Sequence, residues 1–447
     1  MPVFSSFSSL SKYGFMGLNT NAGTGPTNFL NVVSNTYSVQ MSTGAITSDG
    51  RTVSAGLSLD SISAPPSQAP IVITNRFGSI INQVNLYLAP SIYDDSVTIS
   101  ELLLGDSGNI FVVGAYSPNS PTGSDSLVAK LDNNLNITWQ KTLYTTDGET
   151  TYCGAIGSTY LYLGGQTGPS GNVSVLSSYN FSGTLNFQKT VGNNCSRVDS
   201  LYVDSSDNYY TIANENAGAG VQGVQLMKWN SSNTYQWGRR ITAASDIPFG
   251  ENTTDVVVDT SGNVYVTLVV SSTIYLLKYD SSGVIQWQKK IDTTIEYLQG
   301  MAIDTTGNVY ILGFTGPSNF DFFYLFKFDS TGAVTWQRSI DGNLVTNNLF
   351  YKTQNSLNWS GNTLLLNIIQ SISAGTRNSY ILTLPDDGTK TGSYAGLITY
   401  SVSTITTSTS TLTDASQADV SSTTSYTDAT AVALIATTTF SQSVTPI

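Results

Sequence analysis

The 447-residue chain contains no histidine. That removes Ser-His-Asp and Cys-His nucleophilic groupings, His-based zinc sites and the commonest general base. Carboxylates are the acid–base candidates that are left: Asp94-Asp95, Glu149, Asp321, Asp341 and Asp386-Asp387. Each lies in a segment that reads as turn or loop, where Asp serves by hydrogen-bonding the local backbone. The recurrent Asp-x-x-Gly-Asn segments, such as Asp259 to Asn263 and Asp304 to Asn308, invite a calcium reading. They lack the ligand series and closing Glu of an EF-hand loop, and they recur as a structural turn would. The glycines of NAGAGVQG (216–223) give loop flexibility without the strand-to-helix setting of a phosphate cradle. No catalytic, cofactor-binding or metal-ligating residue is singled out.

Two further residue types recur or stand apart. Trp139, Trp237, Trp287 and Trp336 occupy one position of a repeat, with Phe187 standing in once. A sugar platform would not need an indole in most repeats, so wedges between packed sheets are expected. Cys153 and Cys195 fall in neighbouring repeats. A disulfide and two buried thiols both fit that placement, and the strong tendency of Cys to be buried favours the thiols.

The element that must position these residues is the repeat itself. Its clearest copies are 255–292 and 298–342. Each has an apolar run ending in Asp, a Gly-Asn turn, an alternating strand (VYVTLV, VYILGF) and a loop of variable length. A strand ending in Lys-aromatic-Asp follows, then a second Gly turn and a last strand carrying Trp. Weaker copies span 43–88, 99–144, 150–192, 195–243 and 353–396. The second-turn position falls at Gly78, Leu135, Gly183, Asn233, Gly283, Gly332 and Gly388. Gly supplies positive φ there at no steric cost, and Asn tolerates it nearly as well.

Each copy reads as four short strands, a to d, rich in Val, Ile, Tyr and Leu. Seven four-stranded antiparallel sheets hide their faces and edges by closing radially, so an all-β, seven-bladed β-propeller over 43–396 is expected. The pattern apolar–Asp–x–x–Gly–Asn–apolar resembles that of bacterial and phage propellers with NHL-like or SBBP-like repeats. The resemblance implies architecture and is nearly silent on function.

Residues 1–42 read as an arm whose one strand, 35–40, closes the ring. Residues 397–447, dominated by Thr and Ser, contain an alternating run at 400–406 and an apolar run at 431–437. They read as an interaction arm that adds strands to a neighbouring subunit. Strand alternation puts the a–b and c–d turns on one face of the disc and the b–c loops and d–a connections on the other. The b–c loops at 116–124, 166–171, 214–223, 316–321 and 371–377 vary most, and variable loops on a rigid scaffold are where binding resides. Tyr116, Asn119, Gln166, Asn216, Phe320 and Asp321 are the candidate partner-binding positions.

Charged residues make up 11% of the chain and net charge is −12, with 18 basic residues and no basic cluster. Nucleic acid and anionic membranes are therefore unexpected partners, and no stretch approaches a membrane-spanning length. The N-terminus lacks the basic-then-apolar pattern of a secretory signal. A polar, charge-poor surface without that signal fits release by lysis. A non-enzymatic virion protein is expected, a phage capsid decoration or tail component, whose partners are other virion proteins or its own copies through the arms. Host surface glycans are further candidate partners. The alternative is a carbohydrate-binding or adhesive module of a bacterial surface; a carboxylate-based polysaccharide enzyme is the weakest reading.

Overall fold

The computed structural model describes residues 28–446 apart from 35–37, 60–66, 89–95, 106–107, 118–123, 145–147, 169–172, 216–222, 244–252, 293–294, 316–321, 343–349, 352–355, 374–375, 395–397, 411, 418–421, 424–426, 431–432 and 438–440. Among these residues there is no α-helix; the strands form seven antiparallel blades of a β-propeller. Blade I holds strands a to d at Ser38–Ile46, Thr52–Leu59, Ser67–Thr74 and Ile80–Leu88. Blade II holds Ser96–Leu104, Ile110–Ser117, Asp125–Leu131 and Ile137–Tyr144. Blade III holds Glu149–Ile156, Tyr160–Thr167, Val173–Asn180 and Leu185–Thr190. Blade IV holds Cys195–Val203, Tyr209–Glu215, Gly223–Trp229 and Tyr235–Thr242. Blade V holds Thr254–Val258, Val264–Val270, Thr273–Tyr279 and Ile285–Ile291. Blade VI holds Tyr297–Ile303, Val309–Phe314, Phe322–Phe328 and Val334–Gly342.

From the end of the repeat region blade VII takes Phe350–Tyr351 and Leu357–Ser360, which both pair with Thr363–Ser373, and then Thr376–Pro385. Its strand d is Phe29–Ser34, which pairs antiparallel with Thr376–Pro385. The ring is thus closed by the N-terminal segment through 29–34, ahead of the expected 35–40. Phe29, Leu30 and Val33 are buried at 1% exposure or less, which fixes this stretch as the closing strand. Residues 35–37 lie outside the described residues, and Ser38–Ile46 is already strand a of blade I, so the boundary expected at 42/43 falls inside a strand. The seam between blades VII and I is stitched by the Met41 N–H donating to Ser379 Oγ at 2.6 Å and Arg377 Nη1 to Gln40 Oε1 at 2.6 Å.

All seven second-turn residues have positive φ, between 62° and 87°, including Asn233 and the buried Leu135. In six of the seven the residue three positions earlier is Asn or Asp, which explains how the turn holds, and the a–b turns after Asp204, Asp259 and Asp304 use the same device; in blade VII the position is Pro385. Asn75, Asp132, Asn180, Asp204, Asn230, Asp259, Asp280, Asp304 and Asp329 each use one side-chain oxygen to accept the backbone N–H groups two and four residues on, at 2.8–3.1 Å. An Asx side chain at this position satisfies two turn donors that the ladder leaves unpaired.

Strands a form the hub. Bulges put Ser42, Ser100, Tyr152, Asp199 and Gln299 at one level in blades I, II, III, IV and VI. The residues one level on link neighbours: the Leu102 N–H donates to Thr43 Oγ1, Ser200 Oγ to Asp255 Oδ1 at 2.6 Å, and the Met301 N–H to Asp255 Oδ2 at 2.9 Å. Asp255, 2% exposed, thereby ties blades IV, V and VI. A buried carboxylate is stable only when so satisfied.

The described strands of 398–446 follow one another around the outside of the ring, blade by blade, against the direction of the chain. Ile398–Val402 pairs with strand d of blade VI, Thr407–Thr409 with V, Thr413–Ser416 with IV and Ser422–Thr423 with III. Thr427–Thr430 pairs with II, Ala433–Thr437 with I and Ser441–Pro446 with the closing strand of VII. The strand-adding capacity expected of this arm is therefore directed at the chain's own blades. Seven open edges on the same chain present themselves at high effective concentration, and covering them removes the edge-pairing hazard.

Candidate functional site

The repeated Lys, aromatic and Trp side chains meet at the joints between blades. On strand c, Lys130, Lys228, Lys278 and Lys327 each reach the carbonyl at the second position of the turn that follows strand c in the next blade: Phe181, Ser281, Ser330 and Asp386, at 2.9–3.4 Å. On strand d, Trp139, Trp237, Trp287 and Trp336 donate Nε1 to the same four carbonyls at 3.0–3.4 Å. Each ammonium also sits 4.9–5.6 Å from the ring of Phe111, Tyr210, Tyr265 or Tyr310 on its own strand b. A cation over an aromatic face gains electrostatically, and the indole supplies buried area. Burial lowers the Lys228 ammonium from its ordinary value, against the opposing Asp204 charge. The Lys-aromatic-Asp motif is thus divided between a joint, a core and a turn.

The carboxylates are likewise engaged. Asp386 Oδ2 accepts Trp359 Nε1 at 2.8 Å and the Tyr310 hydroxyl at 3.3 Å. The hydroxyl of Thr389 holds the Asp387 carboxyl below its ordinary range. Burial raises Asp341, and Glu149 accepts the Thr167 hydroxyl at 2.7 Å. Asp94, Asp95 and Asp321 lie outside the described residues. Sequence reasoning did not single out Asp125. Burial and the charge of Glu149 push its carboxyl up to about 6; its signal is spatial, since a backbone bond from Glu149 to the Ser124 carbonyl, 2.6 Å, brings the two acids together. Glu215 accepts Arg240 Nε and Nη2 at 2.6 and 2.7 Å, Gln225 Nε2 at 2.8 Å and the Gly223 N–H at 3.0 Å. Gln225 also bonds both polar backbone atoms of Asn193, so this network pins the connection between blades III and IV. Cys153 and Cys195 are buried and form no disulfide, and burial raises the Cys195 thiol.

On the b–c face, Tyr116 and Gln166 are half-buried at the ends of their strands b. Tyr116 packs beside the apolar cluster of blades I and II and lies opposite Asp125. Gln166 lies between Thr150 and Ser174. The structure places them in different blades. Asn119, Asn216, Phe320 and Asp321 lie outside the described residues. On the opposite face a cleft of about 230 Å³ opens between blades I and II, lined by Thr47, Asp49, Arg51, Gly105, Gly108 and Asn133. Arg51 Nε pairs with Asp49 Oδ2 on its blade I wall at 2.9 Å.

The most regular surface is the rim, which sequence reasoning missed as a site. Two residues past the Trp position, strand d meets the belt in strict order: Arg338 opposite Val402, Lys289 opposite Thr409, Arg239 opposite Ser416, Lys189 opposite Thr423, Lys141 opposite Thr430, Val84 opposite Thr437 and Asn31 opposite Val444. Successive partners are seven residues apart in every step. The residue after the Trp position clamps the belt. Gln337 Nε2 donates to the Ile405 carbonyl at 3.0 Å while its Oε1 accepts the Ile405 N–H at 2.9 Å. Gln288 does the same to Leu412, at 3.2 and 3.0 Å. In blade IV Gly238 takes the Gln position; its carbonyl accepts the Gln417 N–H at 2.8 Å and the Tyr235 hydroxyl bonds the Gln417 carbonyl. The legible signals were the recurrent Trp-Gln pair and an apolar residue near every seventh position of the tail: Ile398, Ile405, Leu412, Val420, Tyr426, Ala433, Phe440 and Ile447.

No family model matches this sequence, and no curated protein sequence does. Among solved structures, a protein of unknown function from Dyadobacter fermentans aligns with 81% of this chain and 100% of its own, at 10% identity and a TM-score of 0.45. TolB from Acinetobacter baumannii aligns with 74% of this chain and 79% of its own, at 13% identity and a TM-score of 0.33.

Proposed function

We propose that this chain is a non-enzymatic structural protein of a virus particle, a phage capsid decoration or tail component that displays a rigid propeller on the particle surface. The observation that carries the reading is the disposition of its reactive side chains. The recurring Lys, Trp and Asp residues join blade to blade or hold turns, and both ends of the described chain are built into one blade. Such a ring is suited to persistence outside a cell, where stability is set by the rate of opening. The charge-poor surface and the lack of histidine support the same reading. The finer kinship with NHL-like or SBBP-like phage and bacterial propellers rests on the apolar–Asp–x–x–Gly–Asn–apolar pattern. In this reading, contacts with other particle proteins or with host glycans fall on the b–c and d–a face, since the C-terminal strands pair within the chain.

Mass spectrometry of purified particles tests this directly. The chain is expected in stoichiometric amount with the particle and resistant to washing. Its absence from particles, together with saccharide binding on a glycan array, would replace the proposal with an adhesive surface module.

A further inference from the structure

The belt is bound by the same kind of contact in each blade, through one strand edge and, where side chains are described, one backbone clamp. The four-stranded blades are complete without it. Among the described residues, blade VI alone adds a cover outside its belt strand, Gly392–Tyr394 paired with Ile398–Val402. A glutamine amide that donates to the carbonyl and accepts the N–H of one residue reads backbone, not side chain, so it imposes extended conformation with little demand on sequence. The side-chain demand falls on the apolar residue at the clamped position: Leu412 is buried at 8% exposure and Ile405 packs against the largest core cluster. Seven residues span at most about 23–25 Å of extended chain, so the spacing matches the ligand to the arc between neighbouring blade edges. This is strand addition with pockets at a fixed interval.

We propose that the rim is a peptide-binding track whose ligand class is an extended Ser/Thr-rich chain with apolar residues at intervals of about seven. The chain's own C-terminal segment is its resident ligand, and the same segment of a second copy can replace it. The inference stands independently of the particle reading, because it rests on register and clamp geometry alone.

The test uses the full chain with a specific protease site inserted after Lys390, in the exposed stretch following the blade VII turn. The folded protein is cut, and a labelled peptide of residues 391–447 is added. The cut fragment is expected to co-elute with the propeller on size exclusion, and the labelled peptide to replace it under mild denaturant below the unfolding transition. A peptide carrying Ile405→Ser and Leu412→Ser should compete at least about tenfold less well. So should one with an extra residue inserted in each interval. Loss of the fragment on cutting, failure of any peptide to exchange below the unfolding transition, or equal competition by the eight-residue spacing would each overturn the proposal.

Discussion

The joint from blade V to blade VI and the joint from blade I to blade II solve the same packing problem in opposite ways. In the first, Trp287 lies over Gly332; a Cβ there would sit 3.2 Å from the indole and 2.9 Å from Lys289 Cε. In the second, the Trp position holds Asn82 and the turn position holds Leu135, whose side chain is 1% exposed within the cluster of blades I and II. Bulk at the joint comes from one side or the other. At three further joints Trp faces Gly183, Gly283 and Gly388, and between blades III and IV the turn residue is Asn233 and the Trp position holds the smaller Phe187. The difference teaches that the turn residue is chosen both for its φ and for what the previous blade lays on it.

Breaking a Trp joint should have the largest effect. Gly283→Val puts a branched side chain at a φ of 80° and within 2.7 Å of Trp237, adding a left-handed penalty of about 1–2 kcal/mol to an overpacking cost of similar size. A loss of about 2–4 kcal/mol in chemical denaturation is expected; a change below about 1 kcal/mol would refute the packing. Converting the Leu135 joint sharpens the comparison. Leu135→Gly alone should cost about 2–3 kcal/mol of burial. Combined with Asn82→Trp the loss should shrink by at least about 1 kcal/mol, read as the coupling in a double-mutant cycle; additive effects would contradict it.

Smaller effects are expected away from the joints. Burial and Glu149 hold the folded Asp125 carboxyl at about 6, above its ordinary value of 3.8. A raised folded value means the folded state binds the proton more tightly, so this group's stabilisation is complete below about pH 4 and is lost as pH rises through 6. Allowing for solvent screening of a partly exposed group, the swing is about 1 kcal/mol. Asp125→Asn should flatten the stability profile between those limits, and an unchanged profile would count against the placement. Gln288→Ala should cost about 1 kcal/mol, read as faster amide exchange at Leu412 with blade V otherwise intact.

The four-strand unit and its turns were legible because φ requirements write themselves into Gly, Asn and Asp; even Leu135 was placed by its neighbours' spacing. The closing strand was not legible by spacing, since Phe29–Ser34 stands at the far end of the chain from the blade it completes and carries no second-turn residue before it. The belt was missed because an apolar spacing of about seven residues is neither a strand nor a helix period. It is the period of the ring, and it acquires meaning only once seven edges stand around a circle. The Gln clamps read as ordinary polar surface for the same reason.

The central claim, a ring belted in seven-residue steps, is tested most directly by amide hydrogen exchange on two deletions in the full chain. Removing residues 410–416 should let each later belt strand move back one blade, leaving new exposure only at the outer edge of Phe29–Ser34. Removing 410–413 should strip protection from the strand d edges of blades IV, III, II, I and VII. Equal loss in the two variants would contradict the claim.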